Sequence, residues 1–148
     1  MSSTHLSLHY HITFSTKGRR RMIADPWRGD LHGYLGGIVT NLDGVPEAIG
    51  GTGDHVHLLL RLRATHKLSE ILREIKRGSS AWIHSKSKQR VFAWQDGYAA
   101  FTVSPSQVAA VSRYIHNQEE HHRKKTFEEE YLELLRLSGV EFDEKYLW

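Results

Sequence analysis

Two pairs of histidines stand at positions i and i+2, the spacing at which side chains of a strand point to the same face. They are His9 with His11, and His55 with His57. Two imidazoles whose Cα atoms lie roughly 6.5–7 Å apart can converge on one metal ion. The chain holds 11 histidines among 148 residues, so about one such pair is expected by chance. For either pair alone, histidines on a solvated sheet face are the competing interpretation.

The sequence around His55 favours the second pair. Gly50, Gly51 and Gly53 precede it and leave the backbone open to the close approach of a ligand. Asp54 can accept a hydrogen bond from an imidazole and orient it toward a metal, although it can equally cap a turn. The chain has no cysteine, so a metal must be held by histidine, carboxylate or amide ligands.

A tyrosine and a glutamine form the second candidate constellation. Tyr114 and Gln118 are four residues apart in a segment of helical periodicity, so the phenol and the amide project side by side. An amide oxygen is a suitable third ligand for a hard cation held by His55 and His57. Taken alone, a tyrosine at the edge of an apolar stripe beside a solvated glutamine explains the same residues.

Alternation and helical spacing predict the elements that must position these residues. Strands are expected at 6–14, 45–51, 55–62 and 98–103, and helices at 25–41, 68–83 and 104–124. Asp25 followed by Pro26 is expected to cap the first helix. Capping boxes at 104–107 and 126–129 are expected to begin the third helix and a short tail helix that stops near Gly139.

The order β-α-β-β-α-β indicates an α+β, ferredoxin-like fold, an antiparallel sheet with two helices on one face. The first and third strands are then central neighbours. The polar faces that carry the four histidines of the two pairs would lie together on the side away from the helices. We expect one domain over 1–148, with a core at about 5–125 and a tail helix in 126–148.

The charge balance permits a polyanionic partner without requiring one. The formal net charge is +3 and the isoelectric point is near 9.2. Basic residues cluster at 17–21, 73–77, 86–90 and 123–125, although solvated charge runs are equally common. No apolar run is long enough to span a bilayer and no signal peptide is visible, so we expect a cytoplasmic protein without a membrane partner.

These motifs resemble those of the single-tyrosine HUH transposases, which serve small insertion sequences that move as single-stranded DNA and include the REP-associated tyrosine transposases. Four segments carry the resemblance and stand in family order over residues 5 to 125. They are Tyr10–Lys17, Asp54–Leu59, Trp94–Tyr98 and Tyr114–Gln118. The ferredoxin-like fold of that family agrees with the strand order predicted above.

The resemblance implies that His55, His57 and Gln118 bind Mg²⁺ or Mn²⁺ and that Tyr114 is the nucleophile. Tyr114 would form a 5′-phosphotyrosine link with single-stranded DNA at hairpin-marked element ends. The resemblance also implies a homodimer, in which the tyrosine helix can complete the partner's histidine site. His11 is expected beside the metal site without being a ligand.

Contacts with DNA are expected from basic side chains, with aromatic residues offering surfaces for unpaired bases. The basic candidates are Lys17, Arg19, Arg20, Arg73, Lys76 and Arg77. The aromatic candidates are Trp82, Phe92 and Trp94, of which Trp82 has the helical spacing of a core residue. His116, His121 and His122 are expected to be solvated helix residues.

Two other functions are compatible with this sequence. A binding module of the same fold would recognise nucleic-acid hairpins without chemistry, which makes the joint presence of Tyr114, Gln118 and the histidine pair accidental. A metal-dependent nuclease that uses water would need the histidines but not Tyr114.

Overall fold

A four-stranded antiparallel sheet organises the chain, and the computed structural model describes residues 3–147 of it. The strands are β1 (His9–Ser15), β2 (Val45–Gly51), β3 (His55–Arg61) and β4 (Ala99–Val103), in the order β2-β3-β1-β4. The predicted central pair, β1 with β3, is confirmed, and in its register Thr13 lies opposite His57. Expectations for residues 1, 2 and 148 lie outside the described residues.

Helices α1 (Asp25–Asn41) and α2 (Leu68–Lys86) cover one face of the sheet, which confirms the ferredoxin-like fold. The core lies between these two layers. Its largest fully buried side chains from the sheet and the two helices are Ile12, Phe14, Leu58, Leu60, Leu31, Leu35, Leu72, Ile75 and Ile83. Burying each such side chain stabilises the fold by about 1.5–3 kcal/mol. This core fixes β3, the strand that carries the histidine pair.

Three further helices cover the opposite face. They are α3 (Val108–His116), α4 (Gln118–His121) and α5 (Phe127–Leu137). Ile115 packs on Leu59 and Ala48, while the α5 side chains Phe127, Tyr131 and Leu135 pack on Ala99 of β4. The four histidines of the two pairs were expected on one polar face, and this face is largely buried, because the last third of the chain folds back across it.

The helix boundaries differ from prediction where side-chain capping was invoked. Asp25 does not cap α1; it is the first helical residue and forms an ion pair with Arg28. The capping box at 104–107 is also wrong, because that segment is a 3-10 turn and the Ser104 hydroxyl contacts the Ser106 hydroxyl. The box that begins α5 is confirmed, since the side chains and backbones of Thr126 and Glu129 bond reciprocally.

The predicted third helix ends early. It breaks at Asn117, whose ψ of 24° lies outside the helical range, so Tyr114 and Gln118 belong to different helices. Beyond it, α5 stops as predicted, with Gly139 at a φ of 68°. Among residues 3–147, no helix combines the length and the apolar character needed to cross a membrane.

Candidate active site

The histidine pair lies at the centre of the sheet and is completely buried. His55 and His57 are both 0% exposed, and their ring centroids are 5.1 Å apart. Alternation along β3 sends both rings to the face covered by α3 and α5, whereas Val56 and Leu58 enter the main core. Two buried imidazoles on one face must find polar partners, because an unpaired buried polar group is costly.

Asp54 fixes the orientation of His55. Its Oδ1 atom lies 2.7 Å from His55 Nδ1, and the Thr52 hydroxyl donates a hydrogen bond to the same oxygen. Burial opposes the charged carboxylate, but the hydrogen bonds with His55 and Thr52, with the electrostatic attraction of His55 and Arg21, together outweigh it and lower the pKa of Asp54. With Nδ1–H donating to Asp54, the His55 Nε2 lone pair faces the site and is free to bind a cation.

His11 has the same relation to His57. His11 Nε2 lies 2.8 Å from His57 Nδ1, so one of the two nitrogens must donate a proton to the other. Burial is the main cause that lowers the pKa of His11 to about 3 and that of His57 to about 4. Both rings are therefore neutral at pH 7. When His57 Nδ1 is the donor, its Nε2 atom is left free as a ligand.

The structure brings Tyr114 and Gln118 to the histidines of the same chain. Gln118 is 1% exposed, and its Oε1 atom lies 2.9 Å from His55 Nε2. The ring centroid of Tyr114 is 5.7 Å from that of His57. Although the helix breaks between them, both side chains reach the same site. The four residues singled out by the sequence thus meet within one chain.

The glycines before His55 were expected to admit a ligand, and here the chain itself makes the close approach. A Cβ atom on Gly50 would lie 3.0 Å from the carbonyl carbon of Ile115, and nearer still to its carbonyl oxygen. Gly51 adopts a φ of 152° against the His55 carbonyl group. Gly50 lets α3 lie directly against β2, which places Tyr114 at the histidines.

Glu130 of α5 is a site residue that the sequence reasoning missed. It is 2% exposed, its Oε1 atom lies 2.8 Å from His57 Nε2, and its Oε2 atom accepts a hydrogen bond from the Tyr114 hydroxyl. Burial would raise its pKa, but hydrogen bonds with His122, His57 and Tyr114, with the electrostatic attraction of His57, together lower it. Burial and the adjacent Glu130 carboxylate together raise the pKa of Tyr114. The phenol is therefore protonated in this arrangement.

His122 was also missed, because it was expected to be solvated. Its Nε2 atom lies 2.9 Å from Gln118 Oε1 and 3.3 Å from Glu130 Oε1. Burial alone would lower the pKa of His122, but its hydrogen bond with Glu130 raises it.

A sequence signal existed for Glu130, which is three residues after Phe127 and so shares the apolar side of the amphipathic tail helix.

Four side chains in the described part of the chain form one group able to hold a metal ion. The donor atoms of His55, His57, His122 and Glu130 all lie within 4.8 Å of one another. Ligands about 2 Å from one ion are separated by distances of this order. The donors therefore fit a divalent cation after small adjustments.

The predicted DNA contacts divide into exposed and engaged side chains. Arg73 and Arg77 expose 69% and 74% of their side chains on α2, where both pair with Glu74 of the same helix, and Lys17 and Arg20 are also exposed. Arg19 instead pairs with Glu128 of α5, and Lys76 Nζ donates to the carbonyls of Gln95 and Gly97. Burial lowers the pKa of Lys76 to about 8. Lys76 thus holds the loop before β4.

Two of the three aromatic candidates are unavailable to bases. Phe92 and Trp94 are buried in the main core, where the Trp94 indole N–H donates to the Ser79 hydroxyl. Trp82 is half-buried and stacks on the exposed Tyr34. The expectation of base-stacking surfaces at Phe92 and Trp94 is therefore wrong, because the segment that carries these two side chains packs against α2.

The family model described as "Transposase IS200 like" matches residues 4–118. Among solved structures, a candidate transposase from Deinococcus radiodurans R1 is similar, with a TM-score of 0.63 and 25% identity over 80% of this chain and 96% of that one. A REP-associated tyrosine transposase bound to a REP hairpin has a TM-score of 0.56 and 16% identity, over 78% of this chain and 70% of that one. A search of curated proteins finds no match. His122 and Glu130 lie beyond the residues that the family model matches.

Proposed function

The chain belongs to the IS200-like transposase family, and we propose that it cleaves and rejoins single-stranded DNA through a covalent bond to Tyr114. One observation carries this proposal. The hydroxyl-bearing ring of Tyr114 lies against the buried ring of His57 in the same chain, with Gln118 within 2.9 Å of His55 Nε2. A tyrosine beside donors for a cation is the arrangement that covalent phosphoryl transfer requires.

The proposed reaction is a transesterification. Tyr114 Oη attacks the phosphorus of a phosphodiester, the Oη–P bond forms and the P–O3′ bond breaks. The phenol loses its proton, and the released strand ends in a 3′-hydroxyl group. A 3′-hydroxyl of another strand then attacks the 5′-phosphotyrosine and restores the phenol. Each step exchanges one phosphate ester for another, so no ATP is needed.

The site fits a divalent cation, for which we propose Mg²⁺ or Mn²⁺. His55 and His57 would hold it with Gln118, and the hydrogen bonds that their Nδ1 atoms donate to Asp54 and His11 keep the two Nε2 atoms aimed at the site. When bound, such a cation acts as a Lewis acid on the non-bridging phosphate oxygens. Because two of these donors are imidazoles, the set favours Mn²⁺ over Mg²⁺.

We propose hairpin-bearing single-stranded DNA as the substrate. A REP hairpin is what the REP-associated relative binds in its solved structure. The exposed Arg73 and Arg77 on α2, together with Lys17 and Arg20, offer charge for the phosphate backbone. If the chain forms the homodimer that the resemblance implies, each protomer carries a complete site of its own.

Formation of a covalent adduct tests the proposal. The protein and Mn²⁺ are incubated with an end-labelled single-stranded hairpin set, and denaturing gels are examined for a protein–DNA species. We expect an adduct that disappears in Tyr114→Phe while DNA binding persists. The matched control Tyr146→Phe alters an exposed tyrosine and should form the adduct at the rate of the unmodified protein.

The two alternatives give different results in the same assay. Cleavage without an adduct, unaffected by Tyr114→Phe, would identify a nuclease that uses water. Binding without cleavage of any hairpin in the set would identify a binding module. Either result contradicts the proposed tyrosine mechanism.

A further inference from the structure

The tail helix α5 inserts a carboxylate into the proposed active site. Glu130 presents its two oxygens to different groups. Oε1 faces the imidazoles, at 2.8 Å from His57 Nε2, 3.3 Å from His122 Nε2 and 3.7 Å from His55 Nε2. Oε2 accepts a hydrogen bond from the Tyr114 hydroxyl and lies 3.1 Å from His121 Nε2. The carboxylate thus bridges the place where the imidazole nitrogens converge and the proposed nucleophile.

The packing of α5 holds this carboxylate in place. The helix begins with the Thr126–Glu129 capping box, and Phe127 stacks on the His55 ring with centroids 4.4 Å apart. Tyr131, one residue after Glu130, packs against Ala99 of β4. A buried carboxylate is costly unless cations or donors compensate it. The local fold therefore supports an anion at a point where three ring nitrogens meet.

We infer that Glu130 is a ligand of the metal centre through Oε1, together with His55, His57 and His122, and that Oε2 positions Tyr114 beside the metal. The inference rests on the metal dependence of the proposed function. It adds a tail-helix ligand to the set drawn from the sequence, and this ligand lies beyond residues 4–118, where the family model matches. A carboxylate also supplies the negative charge that Gln118 lacks, which a hard dication favours.

The positions of Gln118 and Glu130 are compatible in one site. Gln118 Oε1 lies 2.9 Å from both His55 Nε2 and His122 Nε2. Glu130 Oε1 lies nearer to His57, on the side of Tyr114. The two oxygens therefore approach the imidazoles from different sides, and a cation can take both. Glu130 also contacts the nucleophile through its other side-chain oxygen, so it couples the metal to Tyr114.

Direct metal binding without DNA tests the inference. Mn²⁺ is titrated into the full chain, and free Mn²⁺ is measured by its electron paramagnetic resonance signal. We expect Glu130→Gln to weaken Mn²⁺ affinity by about tenfold or more. The matched control Glu133→Gln, a half-exposed residue of α5 that pairs with Lys125, should bind Mn²⁺ as the unmodified protein does. Circular dichroism and urea unfolding of both variants confirm that α5 remains folded.

A second measurement distinguishes the loss of a metal ligand from partial unfolding of the tail helix. Co²⁺ replaces Mn²⁺, and its visible absorption reports the number and type of ligands. Replacement of the Glu130 carboxylate by a neutral amide should change the band intensity even at saturating Co²⁺. Mn²⁺ affinity equal to or tighter than that of the unmodified protein in Glu130→Gln, with an unchanged Co²⁺ spectrum, would overturn the inference.

In the opposite role, Glu130 blocks the site by occupying the place of the scissile phosphate, and the rate of adduct formation distinguishes the two roles. At saturating Mn²⁺, Glu130→Gln should form the adduct more slowly if Glu130 is a ligand that also positions Tyr114. It should form the adduct faster if Glu130 blocks the site. Failure of the proposed function looks different from either. If Mn²⁺ binds through Glu130 but no adduct forms, the inference stands and the tyrosine mechanism fails. If the adduct forms and Glu130→Gln binds Mn²⁺ normally, the tyrosine mechanism stands and the inference fails.

Discussion

A methyl group added at Gly50 should displace the tyrosine helix. Gly50 pairs with His57 across the β2–β3 ladder and lies under the backbone of Ile115, the neighbour of Tyr114. A Cβ atom there would meet the Ile115 carbonyl carbon at 3.0 Å and its side chain at 3.1 Å, with the carbonyl oxygen closer. Because the obstacle is backbone, relief requires α3 to retreat by about 1 Å.

The magnitude follows from two opposing effects. Overpacking at a rigid site costs about 1–3 kcal/mol, and replacing glycine in a strand recovers about 0.5–1 kcal/mol. We therefore expect Gly50→Ala to lower the free energy of unfolding by about 1 kcal/mol. A urea slope of roughly 2 kcal/mol per molar then shifts the midpoint down by about 0.5 M. A misplacement of about 1 Å at the nucleophile should slow adduct formation by about a hundredfold.

Urea denaturation followed by circular dichroism measures the first effect, and the rate of adduct formation measures the second. Gly33→Ala is the matched control, because it lies in α1 with nothing within 4 Å of its added Cβ atom. It should raise stability by about 0.5–1 kcal/mol and leave the rate unchanged. A Gly50→Ala protein within 0.5 kcal/mol of the unmodified stability would refute the packing argument.

Three further predictions follow from the site. Mixing His57→Ala with Tyr114→Phe protein should not restore adduct formation, because both residues act within one chain; recovered activity after verified subunit exchange would place the tyrosine across a dimer. Without metal, the free energy of unfolding should fall as the pH drops from about 6.5 toward 4. In this range His11 takes up a proton in the unfolded chain, whereas its lowered pKa keeps it neutral in the folded protein. His11→Gln should remove about 1.4 kcal/mol per pH unit of that slope in urea titrations, whereas His5→Gln, at an exposed position, should leave it unchanged. Asp54→Asn should weaken Mn²⁺ affinity ten- to hundredfold by calorimetry, and unchanged affinity would show that its contact with His55 has no orienting role.

Local patterns in the sequence determined the fold. Alternation over β1 and β3, helical spacing over α1 and α2, and the order of these elements led to the ferredoxin-like sheet with β1 and β3 at its centre. Such patterns succeed because strand and helix periodicities depend on neighbouring residues. They also placed His55 and His57 on one face, since strand side chains alternate with a period of two.

Only the tertiary structure decided how that face is covered. The strand pattern left the histidine face polar and open, but α3, α4 and α5 bury it and bring Glu130 and His122 to the site. Phe127 and Glu130 share one side of α5, yet His57, which Glu130 contacts, is 73 residues away along the chain. Residues distant in sequence meet through packing between elements, which periodicity within one element does not encode. The sequence by itself determined the strand that carries the histidine pair, and the tertiary structure decided which oxygens and nitrogens face it.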